Sequence, residues 1–129
     1  MKKVSLALSA VPIAFWMTDG IAHHAGVMFD TETTITLTGV VREFQFTNPH
    51  SWLLLDVTNE DGSVTTWGFE AEGPTTLMRR GISFGDFPPG SRLTITGYPM
   101  RDGQPAGEWV MAVRESDGEE FWARPQDRE

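Results

Sequence analysis

The sequence predicts an all-β domain, a small five-stranded barrel of the OB type with Greek-key connections and one short helix. Several segments alternate apolar and polar residues as half-buried strands do, and turn-forming residues separate them. The segments follow each other as three strands, a short helix and two strands, which is the order of an OB-type barrel. A small β-sandwich would give a similar pattern and is the alternative fold.

The first three strands are expected in the first half of the domain. Alternation begins at Ile35, and its parity shifts after Gly39, which predicts a bulge or strong bend in a long first strand. Residues 52–57 are apolar on both faces and therefore predict a central strand. Residues 59–62 have the composition of a hairpin turn and lead into a third strand at 64–71.

A short helix and two further strands complete the pattern. Pro74 is suited to the start of a helix at 75–80, and Gly81 to its end. Alternating residues predict a fourth strand at 92–98 and a last strand at 109–115.

The N-terminus has the pattern of a Sec-type bacterial signal peptide. Two lysines precede an apolar run at residues 4–17, which is shorter than the ~20 residues that a membrane-spanning helix needs. Gly20 and Ala22 suit the small positions before a cleavage site, so we expect cleavage between Ala22 and His23. The mature protein is then expected in the periplasm, with no insertion into the membrane.

Four segments are therefore expected along the chain. They are a signal peptide at 1–22, an extended N-terminal segment at 23–34, the OB-like barrel at 35–116 and a polar C-terminal tail at 117–129.

Composition excludes several classes of function. The absence of cysteine rules out disulfides, thiolate metal sites and a cysteine nucleophile, and the net charge of −8 disfavours binding to nucleic acid. The sequence contains no phosphate-binding glycine loop, nucleophile elbow or helical zinc motif. We expect no catalytic residues and no enzymatic activity.

The three histidines are the candidate metal ligands. If His23 begins the mature chain, its α-amine and ring nitrogen can chelate one ion, and His50 can complete a three-nitrogen site called a histidine brace, with His24 as a further or alternative imidazole. Copper(II) prefers such nitrogen-rich tetragonal sites. Met28 and Met100 are possible accessory ligands. The predicted function is periplasmic copper capture or delivery, with a metal ion or a periplasmic protein as partner.

Other interpretations of the same residues remain open. Cleavage one residue earlier would leave Ala22-His23-His24, whose third-position histidine also suits copper. His50 can instead cap a turn, with help from Ser51. The alternative function is an OB-type module that binds a protein or small ligand, without metal, through loops 48–51 and 99–107. A copper oxygenase is a third interpretation.

The motifs together resemble a family of small exported bacterial proteins of unknown function. The shared elements are an N-terminal His-His, Phe-Asp, an NPHSW-type turn, a W-x-x-E strand, an L-x-R-x-G helix end, Pro-Gly and Arg-Asp-Gly. In this chain they are His23-His24, Phe29-Asp30, Asn48 to Trp52, Trp67 to Glu70, Leu77 to Gly81, Pro89-Gly90 and Arg101-Asp102-Gly103. Ala25 stands where the family commonly has serine. The resemblance implies export and a single β domain, and it implies no particular activity.

Overall fold

Six strands and two short helices form the part of the chain that the computed structural model describes, residues 25–125. The elements in order are α1 (Ala25–Met28), β1 (Ile35–Gln45), β2 (His50–Thr58), β3 (Val64–Glu72), α2 (Pro74–Arg79), a 3-10 turn (Phe84–Asp86), β4 (Arg92–Pro99), β5 (Ala106–Arg114) and β6 (Glu120–Trp122).

The sheet closes on itself as a five-stranded barrel. The strand order is β3-β2-β1-β4-β5-β6, and a short parallel pairing of β3 with β5 joins the two sides. This closure confirms the OB-like barrel over the sandwich, because the two sheets of a sandwich would leave that seam open.

The long first strand has the predicted bend. β1 pairs with both β2 and β4, and its register against β2 shifts between Val41 and Glu43. A Cβ on Gly39 would lie 2.5 Å from the carbonyl oxygen of Asp56, so only glycine lets the two backbones approach this closely. The bulge therefore follows the glycine, as the change of parity predicts.

The core fills the barrel with alternate residues of each strand and with side chains from α2 and the turns. Aromatic rings pack edge-to-face at its centre, where Phe87 lies 5.3 Å from Trp109 and 5.4 Å from Phe44. Leu77 of α2 is fully buried and belongs to this core.

Two terminal segments differ from the expectation. Residues 25–28 form a helical turn where extended chain was expected, and residues 120–122, expected in a polar tail, form β6 against β5. Phe121 is only 3% exposed and lies 4.7 Å from the ring of Phe87. The burial of this ring outweighs the polarity of its neighbours, because one buried phenylalanine contributes about 1.5–3 kcal/mol.

The segment before β1 is fixed to the end of β4. Phe29, 3% exposed, forms a bridge with Met100, and the Asp30 N–H donates to the Pro99 carbonyl at 2.9 Å. The Arg101 N–H donates to the Met28 carbonyl at 2.9 Å. These bonds set where the preceding chain meets the barrel. In the described range, no helix has the length and apolarity to cross a membrane.

Candidate functional site

A cavity of about 410 Å³ lies where the N-terminal segment, β2, β3, β5 and the C-terminal segment meet. Its lining combines an imidazole, three carboxylates and two guanidinium groups with aromatic and small side chains. The lining residues are Phe29, Thr31, His50, Glu70, Ala71, Glu72, Arg80, Glu108, Trp109, Ala123, Arg124 and Pro125.

Strand register brings His50 to this cavity. His50 begins β2 and stands opposite Glu72 of β3, while Trp52 stands opposite Glu70. Since side chains two residues apart share one face of a strand, His50, Glu70 and Glu72 project to the same side. The Nδ1 atom of His50 contacts Oε1 of Glu70. The imidazole therefore has a carboxylate partner before any ligand is considered.

The turn before β2 is closed by hydroxyl groups. The Thr47 hydroxyl donates to the His50 carbonyl at 3.0 Å, and the buried Ser51 hydroxyl donates to the Thr47 carbonyl at 3.4 Å. The turn-capping interpretation thus holds for Ser51. The ring of His50 instead faces Glu70, and its side chain keeps 43% of its surface exposed.

The other charges in the cavity form ion pairs. Arg80 lies 2.9 Å from Glu72, and Arg124 lies 3.2 Å from Glu108. Burial raises the pKa of Glu108 above its ordinary value; Arg124 opposes the rise, and the negative charge of Glu70 adds to it. The site thus concentrates more carboxylate than its two guanidinium groups balance.

Only part of the predicted ligand set falls within the described chain. His50 lines the cavity, whereas His23 and His24 lie outside residues 25–125. Within that range no group of three or more histidine or acidic side chains is placed to hold a metal ion. Met28 and Met100 do not line the cavity. Any metal site here needs donors beyond His50 and its carboxylate neighbour.

The two loops proposed for an interaction module do not share this cavity. Of residues 48–51 only His50 contributes to its lining, and residues 99–107 contribute none. The end of β3, the start of β5 and the C-terminal segment form the walls instead.

The sequence pattern gives no role to the carboxylates that line the cavity. Glu70 is the last residue of the W-x-x-E strand, and no motif includes Glu72 or Glu108. Arg80 directly follows α2, where a cation is favourable, and its side chain reaches Glu72 and also donates to the Ala123 carbonyl. The position of Glu70 in a quoted motif is the one signal that pointed to it.

Comparison with known proteins identifies one family for the chain. The fold and cavity define a small OB-like barrel with a charged site at one end. A family model matches residues 12–109, and the chain belongs to that family, DUF6152, a family of unknown function. No curated protein and no solved structure matches the chain.

Proposed function

We propose that this protein is exported to the periplasm and there binds copper(II) through His50 and the histidines that begin the mature chain. Its role would be to capture the metal or to deliver it to a periplasmic partner. The export step rests on the signal-peptide pattern of residues 1–22, and the metal step rests on the geometry around His50.

One observation carries the proposal: Phe29 and His50 line the same cavity. Phe29 is buried and bonded to the end of β4, so its position is fixed. The residues of α1 that separate Ala25 from Phe29 span about 6 Å. His24 is covalently joined to Ala25, so the length of the chain allows both N-terminal histidines to reach the cavity.

The donor set suits copper better than harder cations. Imidazole and amine nitrogens are borderline ligands that copper(II) binds ahead of other divalent first-row ions, whereas magnesium and calcium prefer sites built from oxygen. The α-amine and ring of His23 with the ring of His50 would supply three nitrogens. The carboxylates of Glu70 and Glu108 would add negative charge around the ion.

The test is copper(II) titration of protein that begins at His23, followed by electron paramagnetic resonance and thermal unfolding. We expect one equivalent to bind with a nitrogen-rich axial spectrum. At a free copper concentration of about 100 times Kd, binding would stabilise the fold by about 2.7 kcal/mol. His50→Ala should weaken binding at least about tenfold, which is about 1.4 kcal/mol.

The matched control keeps every side chain and moves only the α-amine. Protein with three extra alanines before His23 retains all three imidazoles and places neither N-terminal histidine first or third in the chain, so its affinity should fall if the amine of His23 is a ligand. Mass spectrometry of protein recovered from the periplasm should show a chain that begins at His23. Weak binding that is insensitive to both His50→Ala and the three added alanines would refute the proposal.

A second candidate is metal-independent binding of a small ligand. The cavity of about 410 Å³ favours it, because small-molecule sites commonly occupy about 300–1,000 Å³. If copper gives no saturable binding that depends on His50, this candidate becomes the better explanation of the cavity.

A further inference from the structure

We propose that Glu70 is a positioning residue for His50: it holds the proton on Nδ1 and thereby leaves Nε2 as the metal-binding nitrogen. The role toward metal rests on the proposed function, whereas the assignment of the ring proton is independent of any metal.

The contact between His50 Nδ1 and Glu70 Oε1 carries the inference. An ionised carboxylate oxygen offers only lone pairs, so this contact is favourable when Nδ1 holds the proton and donates it. In the neutral ring, Nε2 then keeps a free lone pair. Metal-binding histidines commonly donate their other ring N–H to a carboxylate or carbonyl in this way, which fixes the tautomer and the orientation of the ring.

Glu70 is built to hold this position. Its side chain is only 14% exposed, and its residue pairs with Trp52 of β2 on one side and with Glu108 of β5 on the other. A side chain on a central strand with both neighbours paired has fewer alternative placements than one on a loop. His50 remains partly exposed, so the ring is open to a ligand while Nδ1 is engaged.

Glu72 provides a matched control. It lines the same cavity, belongs to the same strand and stands directly opposite His50. Its carboxylate pairs with Arg80 at 2.9 Å. Removing Glu72 deletes the same charge as removing Glu70, and it leaves the contact with Nδ1 intact.

The first measurement uses metal-free protein that begins at His23. Long-range nitrogen–proton NMR at pH 8 reports which ring nitrogen of His50 carries the proton. We expect the Nδ1–H form in the wild type and in Glu72→Leu, and a shift to the Nε2–H form in Glu70→Leu, because free imidazole side chains favour that tautomer. Glu70→Gln keeps a neutral acceptor oxygen and should retain most of the Nδ1–H form. If Glu70→Leu does not fold, the wild-type tautomer still tests the assignment, because an Nε2–H form there would refute it.

The second measurement is copper(II) affinity of the same variants. Loss of an outer hydrogen-bond partner typically costs about 10–100-fold in metal affinity, so Glu70→Leu should lose that much and Glu72→Leu clearly less. Three results would overturn the inference. They are an Nε2–H tautomer in the wild type, an unchanged tautomer in Glu70→Leu, and equal losses of copper affinity in Glu70→Leu and Glu72→Leu. If the tautomer follows Glu70 and the wild type binds no copper, the proposed function fails, and the role of Glu70 toward metal fails with it.

Discussion

Gly97 of β4 allows a sharp test of how the barrel closes beside the cavity. A Cβ at this position would lie 2.5 Å from the carbonyl oxygen of Glu108 and 3.0 Å from Cε1 of Phe69. The first of these atoms is backbone of β5, and the second belongs to a fully buried ring. Neither can move without shifting a paired strand or the core, so Gly97→Ala should destabilise the fold.

The size of the effect follows from two opposing contributions. Forcing a methyl group into packed structure costs about 1–3 kcal/mol. Alanine also restricts the unfolded chain, which returns about 0.4–1 kcal/mol. The middle values of the two ranges, about 2 and about 0.7 kcal/mol, leave a net loss of about 1–2 kcal/mol in the free energy of unfolding. For a domain of about 100 residues, this corresponds to a fall in Tm of roughly 4–16 °C.

Gly85→Ala is the matched control, because a Cβ at Gly85 meets nothing within 4 Å. It makes the same chemical change without the collision. Urea unfolding followed by tryptophan fluorescence, with thermal melting alongside, measures both variants. If Gly97→Ala lies within about 0.5 kcal/mol of Gly85→Ala, the close approach of β4 to β5 is not as described.

Two further predictions concern β6 and the charges of the cavity. Phe121→Ala should lower the free energy of unfolding by about 3–5 kcal/mol, more than Phe84→Ala, whose ring is 64% exposed; equal losses would mean that β6 is not part of the folded domain. Burial raises the pKa of Glu108 in the folded protein. The carboxyl group of Glu108 therefore contributes stability below the pKa that it has in the unfolded chain, and this contribution is lost as the pH rises through its pKa in the folded protein. In metal-free protein, Glu108→Gln should therefore gain stability relative to the wild type as the pH rises above about 4.5, and a difference that does not change with pH would contradict the buried carboxyl.

The sequence was sufficient for the elements whose patterns are local. Only a few neighbouring residues are needed to recognise the alternation in β1, the apolar run in β2 and the glycine after α2. The order of the predicted strands and helix then indicated the barrel. β6 was missed because a strand of three residues is too short to show a period, and acidic residues precede its one buried ring.

The site was harder to predict because it depends on register. The contact of His50 with Glu70 requires β2 and β3 to pair in one particular alignment, and a shift by one residue would turn the carboxylate to the opposite face. Glu70 and Glu108 are neighbours only because β3 and β5 pair in parallel, and this pairing joins residues that are far apart in the chain. Neither the register of β2 and β3 nor the pairing of β3 with β5 can be inferred from composition or local pattern.

Once the register is known, the position of the site follows from the ends of the strands. β2 begins where β3 ends, with His50 opposite Glu72. β3 ends beside the start of β5, with Glu70 paired to Glu108. Three strand ends that carry an imidazole or carboxylates therefore meet at one end of the barrel.

The N-terminal segment joins the same end through the remaining pairings. Gly107 at the start of β5 pairs with Pro99 at the end of β4, and beyond it Met100 bridges to Phe29. Phe29 thus lies at the end of the barrel that holds His50, and both residues line the same cavity. This convergence is a consequence of the strand pairing. It brings the NPHSW turn and the W-x-x-E strand, which are separate in the sequence, to one end of the barrel.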